Sequence, residues 1–202
     1  SNNIAHEWWI EEPVYNYIPL EGQKKSLWCW AASARMLSFN YFNVIKTQEQ
    51  AVEYVKNTTD NITGTIYDAR DAASYYQDGA DNMVAYYNKI YTEDTLRRFI
   101  DDGHPVCIGR GYYYAIPNGR SGGHMTVIFG YIWNEKHNRY DYIIRSSTPV
   151  NKGETLVMSY QKLVNSFSLS SSDETSDGGI WECVLVHETT YSDQVIDWAL
   201  AN

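Results

Sequence analysis

Apolar positions recur at helical spacing through the first half of the chain and as short strand-like runs through the second. From Cys29 to about Phe42, Met36, Leu37 and Tyr41 fall on one stripe, which predicts a helix. A second helix is predicted from about Gln48 to Lys56, with Thr47 placed to cap it, and a third over Ile66 to Tyr76. Thr92 caps a fourth over Glu93 to Asp101, whose Leu96, Phe99 and Ile100 face inward and which closes at Gly103. Asn57 to Gly64 and Gln77 to Asn82 are polar and turn-rich.

After Pro105 the period changes. Val106 to Tyr113, Met125 to Trp133, Tyr140 to Arg145, Thr155 to Ser159 and Trp181 to His187 read as strands, each bounded by Gly, Asn, Asp or Ser. Helices followed by strands imply an α+β fold. The expected organisation is a single domain over 1–202, with a helical lobe at about 22–103 and a β lobe at about 104–202. The segment 1–21, with Trp8-Trp9-Ile10 and the run Tyr15 to Leu20, is apolar enough to lie against the body. Ser168 to Gly179 reads as a mobile loop.

Composition narrows the function classes. The chain has 202 residues, enough for one well-buried domain, and its 44% hydrophobic and 20% charged content is that of a globular protein. A net charge of −9 without a Lys/Arg cluster argues against a nucleic-acid partner or adhesion to anionic membranes. No apolar run reaches the roughly 18 residues of a membrane span, and Ser1-Asn2-Asn3 does not open a signal peptide. Three cysteines without Cys-x-x-Cys make no zinc site, and neither His-Glu-x-x-His nor a phosphate-binding glycine loop occurs. Cys107 and Cys183 lie in apolar strand-like runs and read as buried free thiols, with a mutual disulfide as the alternative.

Chemistry concentrates at Trp28-Cys29-Trp30, which runs into Ala31-Ala32-Ser33-Ala34. A thiol at a helix N-terminus between aromatic rings is expected to ionise below the ordinary value of about 8.5, more so beside an imidazole. Gln23, shortly before it, carries a side-chain amide able to donate to an oxyanion, with the Cys29 N–H as second donor. His124 follows Gly122-Gly123 and precedes the apolar run Met125 to Phe129, so it is expected at the first residue of a buried strand, held rigidly as a base. The other histidines sit near the terminus (His6), in turns (His104, His137) or at a strand end (His187), and are weaker candidates.

Taken together, Gln23, Cys29-Trp30 with a helix behind them, Gly123-His124 opening a strand that ends in Phe129-Gly130-Tyr131, and Tyr142 to Ser147 resemble a papain-like cysteine peptidase. The resemblance covers about 23–153 and is nearest to compact bacterial members, of staphopain-like or effector type. It departs from plant-type members in the residues before the nucleophile and in a Cys–His spacing shorter than their roughly 130–150 residues. It also departs at the third catalytic position, which falls on Ser146 instead of Asn or Asp. Asn151 and Asp141 are the alternatives for orienting His124, if anything does.

The resemblance implies a helical lobe carrying Cys29, a sheet lobe carrying His124 and a substrate groove between them. It implies cysteine endopeptidase activity through a Cys29–His124 thiolate–imidazolium pair and an acyl-enzyme, on peptide or protein substrates. No metal or organic cofactor is needed, and a monomer, secreted or at the cell surface, is expected. Two alternatives share the residues: an acyltransferase or amide-crosslinking enzyme, and a catalytically decayed binding module. Tyr112-Tyr113-Tyr114 with Ile116 to Ser121 reads either as a groove lining or as the end of a strand.

Overall fold

The computed structural model describes residues 12–114, 119–169, 176–188 and 195–197. Its frame is an antiparallel sheet in the order β2 (Met83–Tyr87), β8 (Gly179–His187), β4 (Val106–Tyr113), β5 (Arg120–Asn134), β6 (Arg139–Ser146), β7 (Glu154–Ser159). A short strand β1 (Val14–Tyr15) pairs with β5, and β3 (Lys89–Tyr91) pairs with β9 (Val195–Asp197) apart from the main sheet. Helices α1 (Cys29–Ser38), α2 (Gln48–Lys56) and α3 (Ile66–Tyr76) cover one face of the sheet. Helices α4 (Glu93–Asp101) and α5 (Tyr160–Val164) cover the other.

The two-residue period of the strands produces this arrangement. Along β4, Cys107 points to the α1–α3 core while Val106 and Ile108 point to the α4–α5 core. Both faces are therefore buried, and the central strands read as near-continuous apolar runs. On the first face Trp28, Trp30, Met36, Leu37 and Phe129 are essentially inaccessible, each stabilising the fold by roughly 2–3 kcal/mol. Thr47 and Thr65 each form a reciprocal capping box, with Gln50 and Asp68 respectively, worth about 1 kcal/mol apiece.

Several predicted elements differ from the observed ones. Helix α1 stops at Ser38 instead of about Phe42. The Ser38 hydroxyl bonds back to the Ala34 carbonyl and the Asn40 amide donates to the Gly103 carbonyl, so the chain turns away. Residues 83–91, to which no element was assigned, form β2 and β3. Asn88, at φ 57°, makes the break between them in a left-handed conformation that asparagine tolerates. Strand β5 begins at Arg120, well before Met125, because Gly122 and Gly123 still pair with Tyr112 and Gly111 of β4. The Trp8-Trp9-Ile10 run, residues 115–118 and residues 170–175 of the expected loop lie outside the described residues.

Among the described residues no helix is long and apolar enough to cross a membrane. Cys107 and Cys183 are both free and buried.

Candidate active site

Cys29 is the first residue of α1, and what holds it there is the surrounding loops. No side chain caps this helix, so its first N–H groups stay open toward the thiol. The flanking indoles are anchored through their nitrogens. Trp28 Nε1 donates to the Asp60 carbonyl at 3.0 Å and Trp30 Nε1 to the Ile62 carbonyl at 3.2 Å. Asn61 accepts from the Leu27 N–H at 2.8 Å and donates to Ser26 Oγ at 2.8 Å. The polar 57–64 loop is therefore the clamp of the Trp-Cys-Trp segment. Gly64 abuts the Trp30 ring, where a β-carbon would come within 2.5 Å of it.

Helix α1 is pinned to β5 by Ser33, whose Oγ donates to the Met125 carbonyl at 3.0 Å. That bond brings Cys29 beside the residue that follows His124, and the backbone N–H of Met125 reaches the thiol. Cys29 and His124 line one cavity of about 430 Å³, together with Gly109, Arg110, Glu182 and Cys183. His124 stands several residues inside β5, opposite Arg110 of β4, and not at the strand's first residue as expected. Its backbone is held by pairing with β4, and its ring by the Ser146 hydroxyl at the end of β6, instead of by a strand end.

Ser146, at the end of β6, lies against His124: its Oγ is 2.9 Å from Nε2. The same Oγ is 3.0 Å from Thr148 Oγ1, which is itself 3.4 Å from Nε2. With Nε2–H donating to Ser146, and that hydroxyl passing its own proton to Thr148, Nδ1 is left as the basic nitrogen. Thr148 was missed in the sequence, since a threonine in a turn carries no signal of this kind. The alternatives fall elsewhere. Asp141 is bonded to Asn134 and Arg139 toward the other end of β6. Asn151, at φ 65°, gives its backbone N–H to the Gln23 carbonyl.

Gln23 requires a correction. Its Nε2 donates to the Lys25 and Ser26 carbonyls at 3.0 and 2.7 Å, and its Oε1 accepts from Ser147 Oγ at 2.8 Å. The side chain is 1% exposed. Both amide protons are thus used within its own loop, and Gln23 ties that loop to the one after β6 instead of facing the cavity. The donors open toward the thiol are the backbone N–H groups of Met125, Trp30 and Cys29.

The electrostatics also differ from expectation. Burial pushes the Cys29 thiol up, and the N–H groups of Met125, Trp30 and Cys29 offset this only in part. Burial, followed by the Arg110 guanidinium, pushes His124 down to about 4. Arg110 is itself 4% exposed and held bidentately by Asp177 at 3.0 and 3.1 Å. Among the described residues the hydrogen-bond partners of the imidazole are hydroxyls and not carboxylates, so both shifts favour the uncharged forms of thiol and imidazole. His104 and His187 lie away from this site, stacked on each other and on Tyr41.

Two expected outcomes arise here. An unfolded chain protonates His124 near 6.5 while the native one resists until about 4. Its contribution to stability is therefore complete above about pH 6.5, falls as pH drops, and is lost below about 4, at most about 3 kcal/mol in all. Chemical denaturation from pH 7 to 4 is expected to show this slope in the wild type and a shallower one in His124→Gln. Ser146→Ala is expected to lower kcat/KM by about tenfold, because Thr148 can still accept from Nε2–H, and Ser146→Ala with Thr148→Ala by about a hundredfold. Steady-state kinetics on the two variants would check it. Equal losses would mean that Thr148 does not substitute.

A thiol at an open helix start, sharing a cavity with an imidazole held on the sheet, defines a cysteine-peptidase-like protein. Residues 15–167 match the Peptidase_C39 like family, and the chain belongs to that family. Among solved structures it is similar to a Bacillus anthracis protein described as a candidate C39-like peptidase. The TM-score is 0.53 with 13% identity, over 89% of this chain and 99% of the other, a likeness of fold alone. No curated protein matches the chain.

Proposed function

We propose that this protein is a cysteine endopeptidase, with Cys29 as nucleophile and His124 as general base, on a papain-like arrangement of the compact bacterial type. The observation that carries the reading is the meeting of Cys29 and the Ser146-anchored His124 in one cavity. His124 Nδ1 takes the thiol proton as sulfur attacks the peptide carbonyl, so charge develops during the reaction instead of standing in the resting site. The Cys29 N–H, with the open end of α1 behind it, meets the oxyanion. The imidazolium then gives its proton to the leaving amine, and water, deprotonated by His124, releases the acyl group.

Membership of a peptidase family favours hydrolysis over acyl transfer and over a decayed scaffold. Protein or peptide substrates, a monomeric state and a secreted or cell-surface location belong to the same proposal; the last two rest on the papain-like resemblance. A peptidyl chloromethyl ketone tests the mechanism by losing chloride to a sulfur nucleophile. Peptide mass spectrometry is expected to find it on Cys29, with Cys107 and Cys183 unmodified. A folded protein that neither cleaves any peptide nor takes the label at Cys29 would overturn the reading.

A further inference from the structure

Glu182 enters the cavity through an irregularity in β8. Gly109 of β4 faces Cys183, while the next residue, Arg110, faces Trp181, so Glu182 is an extra residue opposite no β4 partner. In a regular strand Trp181 and Cys183 would share one face. Here Trp181 belongs to the α4–α5 core and Cys183 to the α1–α3 core. The bulge brings Glu182 and Cys183 onto the same cavity wall as Cys29.

The re-aimed Glu182 side chain is 8% exposed. A carboxylate so buried needs a cation, and this one has Arg120, whose Nε and Nη2 donate to it at 3.1 and 3.0 Å. The Tyr113 hydroxyl donates to the same group. Gly111 leaves room for the carboxylate and Gly123 for the guanidinium, since a β-carbon at either would collide with them. Tyr87 lines the same cavity. The Arg120 side chain, by contrast, is 47% exposed. The cavity's other cations are engaged elsewhere, Lys56 with Asp68 and Arg110 with Asp177.

A buried carboxylate, a tyrosine hydroxyl and a floor of glycine make a socket for an organic cation, filled in the free protein by the chain's own guanidinium. We propose that Glu182 selects a lysine or arginine side chain of the substrate, which displaces Arg120 from the carboxylate. The proposal rests on the peptidase reading and specifies its substrate class. The exchange replaces one buried ion pair with another and leaves no carboxylate unpaired, while Arg120 moves from a half-exposed position into water.

A diverse peptide library digested by the wild type is expected to show Lys and Arg enriched at one position near the cleaved bond, by at least about tenfold. Glu182→Gln should erase that enrichment. Arg120→Ala should lower KM for the lysine-containing peptides, where a merely structural ion pair would predict lost stability and no gain in binding. Apart from hydrolysis, propylguanidinium should raise the melting temperature of Arg120→Ala and leave Arg120→Ala with Glu182→Gln unmoved. Cleavage without basic preference, or a preference that survives Glu182→Gln, overturns the inference and leaves the peptidase reading standing. If Glu182→Gln does not fold, an unchanged or raised KM in Arg120→Ala overturns it. Absence of all cleavage, with Cys29 unlabelled, removes the peptidase reading and the substrate claim together.

Discussion

Cys29→Ala is expected to fold as the wild type does and to lose peptide hydrolysis by roughly 10,000-fold or more. In the proposed mechanism the thiol is the nucleophile, yet it carries little of the fold. The start of α1 is held by the buried Trp28 and Trp30 rings, their bonds to the 57–64 loop and the Ser33 link to β5. Removing one sulfur leaves those contacts in place. The check is paired: a melting temperature within a few degrees of wild type, and kcat/KM at background on a peptide that the wild type cleaves. Hydrolysis retained at the wild-type rate would mean that another group performs the chemistry.

Alkylation of Cys29 by iodoacetamide is expected to be slow at pH 6–7 and to climb with pH beyond 8, with no plateau between pH 5 and 8. Two neutral partners dictate this. Because burial raises the thiol above its ordinary value, the thiolate is disfavoured at neutral pH. A protonated His124 is equally scarce there, its value being about 4. A preformed ion pair would instead give fast labelling from acid pH upward, lost in His124→Ala. That pattern, seen in the free enzyme, would show that burial is outweighed by the helix N-terminus after all. Peptide mass spectrometry resolves the site, since Cys107 is fully buried and Cys183 is pushed to about 12, mainly by burial.

The helices were legible because their signals are local. A threonine cap marks α2 and α4 in neighbouring residues, and α2, α3 and α4 each appear with their predicted bounds. Strands β2 and β3 were not read, because Met83 to Tyr91 mixes tyrosines with small and charged residues and alternates only weakly. The early start of β5 was hidden by glycines, whose pairing with β4 owes nothing to their side chains.

The candidate site divides along the same line. Cys29, His124 and Ser146 stand out by chemistry and by spacing, and the fold brings all three together. Gln23 shows the limit of that reasoning. Its amide has the right chemistry and an apt spacing, yet two carbonyls three residues or fewer away claim both its protons. Thr148, Arg110 and Asp177 have no sequence signal. Each acts through a contact made across loops or strands.

By itself, then, the sequence determined the helical first half and the strand-rich second half, and it singled out Cys29, His124 and Ser146 as candidates, since residue type and periodicity carry that information locally. Only the tertiary structure decided how far burial shifts the pair toward its uncharged forms, the partners of Gln23 and the direction of Glu182. Those depend on how far each group is removed from water, and on a one-residue bulge that turns Glu182 into the cavity. Burial and strand register arise from residues distant in the chain, and no local pattern encodes them.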